Sequence, residues 1–126
     1  MDKAVEHFDV IIVGAGISGV GSAYHLQTQC PGKSFVVLET MAEFGGTWRQ
    51  HTYPGVRSDS DLYTFGYRFK PWLGTPIATG EEILKYMGEV IAENDLGRHI
   101  RYGHKITDAS WSSETNLWTV EAVHDG

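Results

Sequence analysis

The sequence has a single cysteine, four prolines and no apolar run near the roughly 18 residues that a membrane span needs. Each scarcity excludes something. Cys30 alone cannot close an internal disulfide, so a disulfide-stapled secreted scaffold is ruled out. With no signal-peptide pattern either, the expected setting is the reducing cytoplasm, with no membrane partner. Basic charge is also scarce: 10 Lys and Arg stand against 16 Asp and Glu, for a formal charge of −6. That balance argues against nucleic acid or an anionic lipid surface as partner, while leaving room for a local phosphate site. The six histidines are scattered and match no zinc spacing, so no metal site is expected. A G-x-S-x-G elbow and a P-loop lysine are missing as well.

Glycine is plentiful. It supplies 15 of 126 residues, about 12%, where roughly 7% is usual. There is no G-X-Y period and little proline, so the excess marks places where backbones approach closely rather than collagen or low complexity. A length of 126 residues with 41% hydrophobic content fits one compact domain.

The glycines concentrate where chemistry is expected. Phe8 to Val13 is a short β-branched run that suits a strand covered on both faces. Gly14-Ala15-Gly16-Ile17-Ser18-Gly19 follows at once, and a helix is expected from there to about Gln29. Gly19, Ala23, Leu26 and Cys30 fall on one face of that helix, which Cys30-Pro31-Gly32 stops. Ser34 to Glu39 is a second apolar strand ending in an acid, twenty residues past Gly19. Together these segments form a β-α-β dinucleotide-binding fingerprint with every part in register. Gly14 makes the turn, Gly16 admits a pyrophosphate, and Gly19 allows close helix packing. The helix N-terminus offers free N–H groups to phosphate, and Glu39 can accept the hydroxyls of an adenosine ribose. Gly14, Ala15, Gly16, Ser18, Gly19 and Glu39 are therefore candidate cofactor-binding residues. A carboxylate at this position suits FAD or NAD and disfavours NADP.

After Glu39 comes Gly45-Gly46-Thr47-Trp48, followed by Tyr53-Pro54-Gly55-Val56-Arg57-Ser58-Asp59 and on through Asp61-Leu62-Tyr63-Thr64-Phe65-Gly66-Tyr67-Arg68-Phe69 to Pro71-Trp72. This string resembles the class B flavin monooxygenases, and within them the Baeyer–Villiger branch of the bacterial ethionamide-activating type. The resemblance covers essentially the whole chain from Phe8. It implies FAD as cofactor, NADPH as reductant, and oxygen transfer to a ketone, or to a sulfide or amine. It also implies that Gly46, Thr47 and Trp48 line the FAD site and that Asp59 is a catalytic acid at the flavin edge. Asn is usual near this position in the amine- and sulfide-oxygenating relatives. From the residues alone, Asp59 also suits a turn or a helix N-cap, Arg57 a phosphate contact or a surface ion pair, and Trp48 the flavin or the core. Tyr53 and Tyr63 are the aromatics placed near a cofactor, while Tyr63 to Phe69 otherwise alternates like a half-buried strand.

The remainder reads as scaffold. Thr79-Gly80-Glu81-Glu82 is a capping box. Ile83, Leu84, Met87, Val90 and Ile91 form the apolar stripe of a helix reaching Leu96, with Gly97 at C′. Ile100 to Tyr102 reads as a parallel strand. Lys105 to Trp111 and Leu117 to Val123 read as a hairpin with Trp111 opposite Trp118. The expected fold is thus an α/β, Rossmann-like unit with a parallel sheet and a β-hairpin, truncated: residues 1–126 as a single, partial FAD-binding domain of a larger flavoprotein. No second G-x-G-x-x-G is present to hold NADPH. The isolated chain is therefore expected to be inactive, and to self-associate through an open sheet edge. An NAD-binding dehydrogenase domain and a non-catalytic nucleotide-binding module are the alternatives.

Overall fold

Val10-Ile11-Ile12-Val13 forms β1 (Val10–Val13), and Phe35-Val36-Val37-Leu38 forms β2 (Phe35–Leu38). They pair in parallel with Val10 opposite Phe35 and Val13 opposite Leu38. The computed structural model describes residues 5–51, 54–58, 62 and 66–124. A third parallel strand, β3 (Ile100–Arg101), pairs with Val37 and Leu38, so the sheet order is β1-β2-β3. The central strand is buried at all four positions, as expected for a parallel strand covered on both faces. The β1 edge differs: Val13 is 71% exposed.

Parallel neighbours need a crossover, and α1 (Ile17–Gln29) supplies it. Its buried residues, Gly19, Val20, Gly21 and Ala23, are small enough to bring the helix close. Leu26 packs at the margin of the core. Cys30, expected on the same face, is exposed. It lies past the last helical turn, and its N–H caps the helix on the Leu26 carbonyl at 3.0 Å.

A short helical turn, α2 (Thr47–Gln50), lies earlier in the chain than the long helix α3 (Gly80–Glu93). The capping box forms as expected: the Thr79 hydroxyl accepts from the Glu82 N–H, and the Glu82 carboxylate accepts from the Thr79 N–H. Ile83, Met87 and Val90 are buried with Tyr86, while Leu84 and Ile91 sit at the edge of the stripe. The helix ends earlier than the sequence pattern indicates. Asp95, not Gly97, takes the left-handed C′ position, at φ 53°. The Leu96 N–H then bonds the Ile91 carbonyl at 2.9 Å, and Leu96 is wholly buried. Burial of Leu96 thus decides the terminus, at an acid that tolerates this conformation. Gly97 instead opens a 3-10 turn, Gly97–His99.

The strand expected over Tyr63 to Phe69 does not form among the described residues; residues 67–70 make turns. Their rings pack instead. Phe69 stacks on Tyr24 with centroids 3.6 Å apart, and Tyr67 lies between Phe69 and Tyr86. The hairpin does form, as β4 (His104–Ser112) and β5 (Leu117–His124), each a little longer than expected. Trp111 stands opposite Trp118 with ring centroids 5.7 Å apart, and the register shifts between Ile106 and Asp108.

His99 stacks on Phe35 at 4.1 Å, and its Nε2 is buried with no hydrogen-bond partner. Burial pushes the imidazole pKa down, and the neighbouring Arg98 charge adds to the effect. The unfolded chain therefore binds this proton more readily than the folded one. Stability should be full above the ordinary histidine range near 6.5 and fall as pH drops through it. Urea unfolding at pH 7.5 and 5.5 should show this loss, and His99→Leu should reduce the difference between the two.

Candidate dinucleotide site

The site starts where β1 ends. Gly14, at φ 96°, turns the chain, and its N–H bonds the Leu38 carbonyl at 2.8 Å. Gly16 is the N-cap of α1 and offers no side-chain cap, and no acid stands in the first turn. The helix thus presents uncapped amides and the positive end of its dipole. A Cβ at Gly19 would run into the Gly14 carbonyl oxygen. Glycine is needed at this position by the turn itself.

A second pair of glycines closes the other wall. Gly45 and Gly46 both take positive φ, at 128° and 55°. The Gly45 N–H donates to the Ala15 carbonyl at 3.0 Å, and a Cβ on Gly46 would lie 3.1 Å from the Gly16 Cα. Two backbone segments far apart in sequence therefore touch without side chains between them. Gly14, Gly16, Ser18 and Gly19 face Gly46, Thr47 and Trp48 across a cleft of about 350 Å³ at the C-terminal end of β1. A second cavity of about 350 Å³ lies beyond Trp48, bounded by His51, Val56 and the start of α3. Trp48 lines both cavities and also packs on the core.

Glu39 does not line the cleft. The residue is 6% exposed, and its carboxylate sits beneath the loop. Oε1 accepts from the Ala15 N–H and Oε2 from the Met41 N–H, both at 2.8 Å. Each oxygen keeps one acceptor position beyond these bonds. Next to this group, burial and the Glu39 charge push the Tyr102 phenol pKa up. Arg57 is exposed, and its Nε donates to the Gly55 carbonyl at 3.2 Å. Asp59, Tyr63 and Tyr53 lie outside the described residues. The residue that sequence reasoning missed is Tyr67, whose hydroxyl donates to the Ile17 carbonyl at the head of α1. The only signal for it was Gly21, a second glycine inside a helix, where Tyr67 packs.

A parallel β-α-β crossover, a glycine turn, an uncapped helix start and an acid after β2 define a Rossmann-type dinucleotide-binding domain. Residues 12–73 match the family described as an NAD(P)-binding Rossmann-like domain. The chain is 52% identical over 122 residues to the FAD-containing monooxygenase EthA of Mycolicibacterium smegmatis, covering 96% of this chain and 25% of that protein. It is 48% identical over 122 residues to the probable FAD-binding monooxygenase AlmA of an Acinetobacter species, covering 96% of this chain and 24% of that one. Among solved structures it superposes on an oxidized steroid monooxygenase bound to NADP with a TM-score of 0.84 and 34% identity, covering 91% of this chain and 23% of that one. It also superposes on a closed cyclohexanone monooxygenase with a TM-score of 0.82 and 30% identity, again covering 91% and 23%. Over nearly all of its length, the chain is similar to FAD-containing monooxygenases. It spans about a quarter of the length of the curated relatives it matches. No described helix is long and apolar enough to cross a membrane.

Two substitutions test the cradle. Gly19→Ala should cost about 1–3 kcal/mol, because the obstructing atom is backbone and cannot rotate away. Glu39→Gln turns an acceptor into an N–H donor facing a backbone N–H. It should cost about 1.5–3 kcal/mol, the range for a hydrogen bond to a charged group. Urea unfolding of each variant against the wild type measures both.

Proposed function

We propose that this chain is the FAD-binding domain of a larger flavoprotein that uses NADPH and oxygen to oxygenate a ketone, or a sulfide or amine. Residues 1–126 would then form one domain, incomplete by itself. The observation that carries this reading is the uncapped start of α1 facing a wall of bare backbone at Gly45 and Gly46. Such a cradle fits a diphosphate, because it supplies N–H donors, positive potential and room for close approach. Gly16, Ser18 and Gly19 hold the diphosphate, Gly14 and Ala15 shape the turn beneath it, and the spare acceptor positions of Glu39 take the ribose hydroxyls. Gly46, Thr47 and Trp48 carry the cofactor on toward the second cavity. By resemblance, Asp59 and Tyr63 belong at the flavin edge, with Asp59 as the catalytic acid. When bound, FAD supplies the oxygen chemistry. The chain's own part is to bind, to orient, and to keep water from the diphosphate.

The single G-x-G-x-x-G of these residues serves FAD, so NADPH belongs to another part of the flavoprotein. These 126 residues alone should therefore perform no NADPH-dependent oxygenation. The setting is the cytoplasm, where the exposed Cys30 stays reduced. The partners are FAD and a small organic substrate rather than nucleic acid or lipid. The open edge of β1 would let isolated chains associate, an expectation that light scattering at rising concentration tests.

Calorimetry with FAD and NAD separately tests the main reading. FAD should bind in preference to NAD, and Glu39→Ala should weaken it by roughly 10- to 100-fold. A preference for NAD would indicate a dehydrogenase domain. Binding of neither would indicate a non-catalytic module.

A further inference from the structure

Tyr67 reaches from the 67–70 turns to the head of α1. Its hydroxyl donates to the carbonyl oxygen of Ile17, the first helical residue. Gly21, one turn on, lies against the edge of the Tyr67 ring. Ile17 C=O and Gly21 N–H are the two groups of one i→i−4 rung, so the hydroxyl is wedged beside that rung. Gly21 leaves the slot open: a Cβ there would come within 2.9 Å of Tyr67 Cε1. The ring is fixed from its other side. It stacks on Phe69 at 4.8 Å and on Tyr86 of α3 at 5.7 Å, and the Tyr67 N–H donates to the Tyr86 hydroxyl at 2.9 Å.

A side chain entering the hydrogen-bond ladder redirects a helix end. The affected end here is the one whose amides line the cleft, and it carries no side-chain cap and no first-turn acid to steady it. We infer that Tyr67 is a positioning residue of the diphosphate site: its hydroxyl, seated in the slot left by Gly21, sets the direction in which the Ser18 and Gly19 amides point into the cleft. The inference rests on the reading of that cleft as a dinucleotide site. Gly21 and Tyr67 then form a pair, with an absent side chain on the helix matched by a present one on the turn.

Tyr67→Phe keeps the ring and its stacking and removes only the hydroxyl. Calorimetry should show ADP binding weakened about tenfold and adenosine, which has no phosphate, unchanged. A general structural defect would weaken both alike. Without any ligand, amide hydrogen exchange at Gly21 should rise about tenfold in Tyr67→Phe while the later turns of α1 stay as in the wild type. Gly21→Ala, which fills the slot, should lower ADP affinity to a similar degree. Wild-type-like ADP binding by Tyr67→Phe, or an equal loss for adenosine, overturns the positioning role. So does unchanged exchange at Gly21. Failure of the wild type to bind either ADP or adenosine instead overturns the dinucleotide reading, and with it the role assigned to Tyr67.

Discussion

The site hangs on the peptide of Ala15. Its N–H donates to the Glu39 carboxylate at 2.8 Å, and its carbonyl accepts from the Gly45 N–H at 3.0 Å. One residue thus links the turn after β1, the acid after β2 and the second glycine pair. Ala15 is completely buried, so neither group can fall back on water. A hydrogen bond to a charged group contributes about 1.5–3 kcal/mol, and leaving a buried partner unmet costs a similar amount. The Glu39 carboxylate therefore has structural work to do before any ligand arrives.

Charge follows the same plan at a larger scale. The chain is acidic overall, yet among the described residues the cleft beside α1 is lined by glycines, a serine, a threonine and apolar side chains, with no acid. The Glu39 carboxylate beneath the loop is turned inward, with one position on each oxygen taken by a backbone N–H. Fixed N–H groups and the helix dipole can then hold a diphosphate with no lysine or arginine among the described residues of the wall. Net charge describes what the surface repels, and the placement of amides describes what the cleft accepts.

Packing supplies the rigidity. The aromatic group of Tyr24, Tyr67, Phe69, Trp72 and Tyr86 joins α1 to α3, with two of its hydroxyls donating to backbone carbonyls. Buried rings of this kind contribute through area, and their polar tips must find partners. On the other side, Val13 at the β1 edge and the two hairpin tryptophans remain open.

The sequence alone determined the parts whose signals are local. The β-branched runs, the glycine spacing, the capping box at Thr79 and Glu82 and the paired tryptophans of the hairpin were all legible, because each depends on neighbours a few residues away or on one strand's partner. The family string after Glu39 was legible for the same reason. Tertiary structure decided the rest. Burial of Leu96, not the presence of Gly97, set the end of α3. The aromatics at 67 and 69 packed against α1 and α3 rather than forming the expected strand. Glu39 was readable as an acid after a strand. Its two backbone partners, Ala15 and Met41, followed only from how the loop folds over it. The match of Gly21 with Tyr67 joins residues 46 positions apart in the sequence. A missing side chain has meaning only beside the ring that fills its place, and no local pattern records which ring that is.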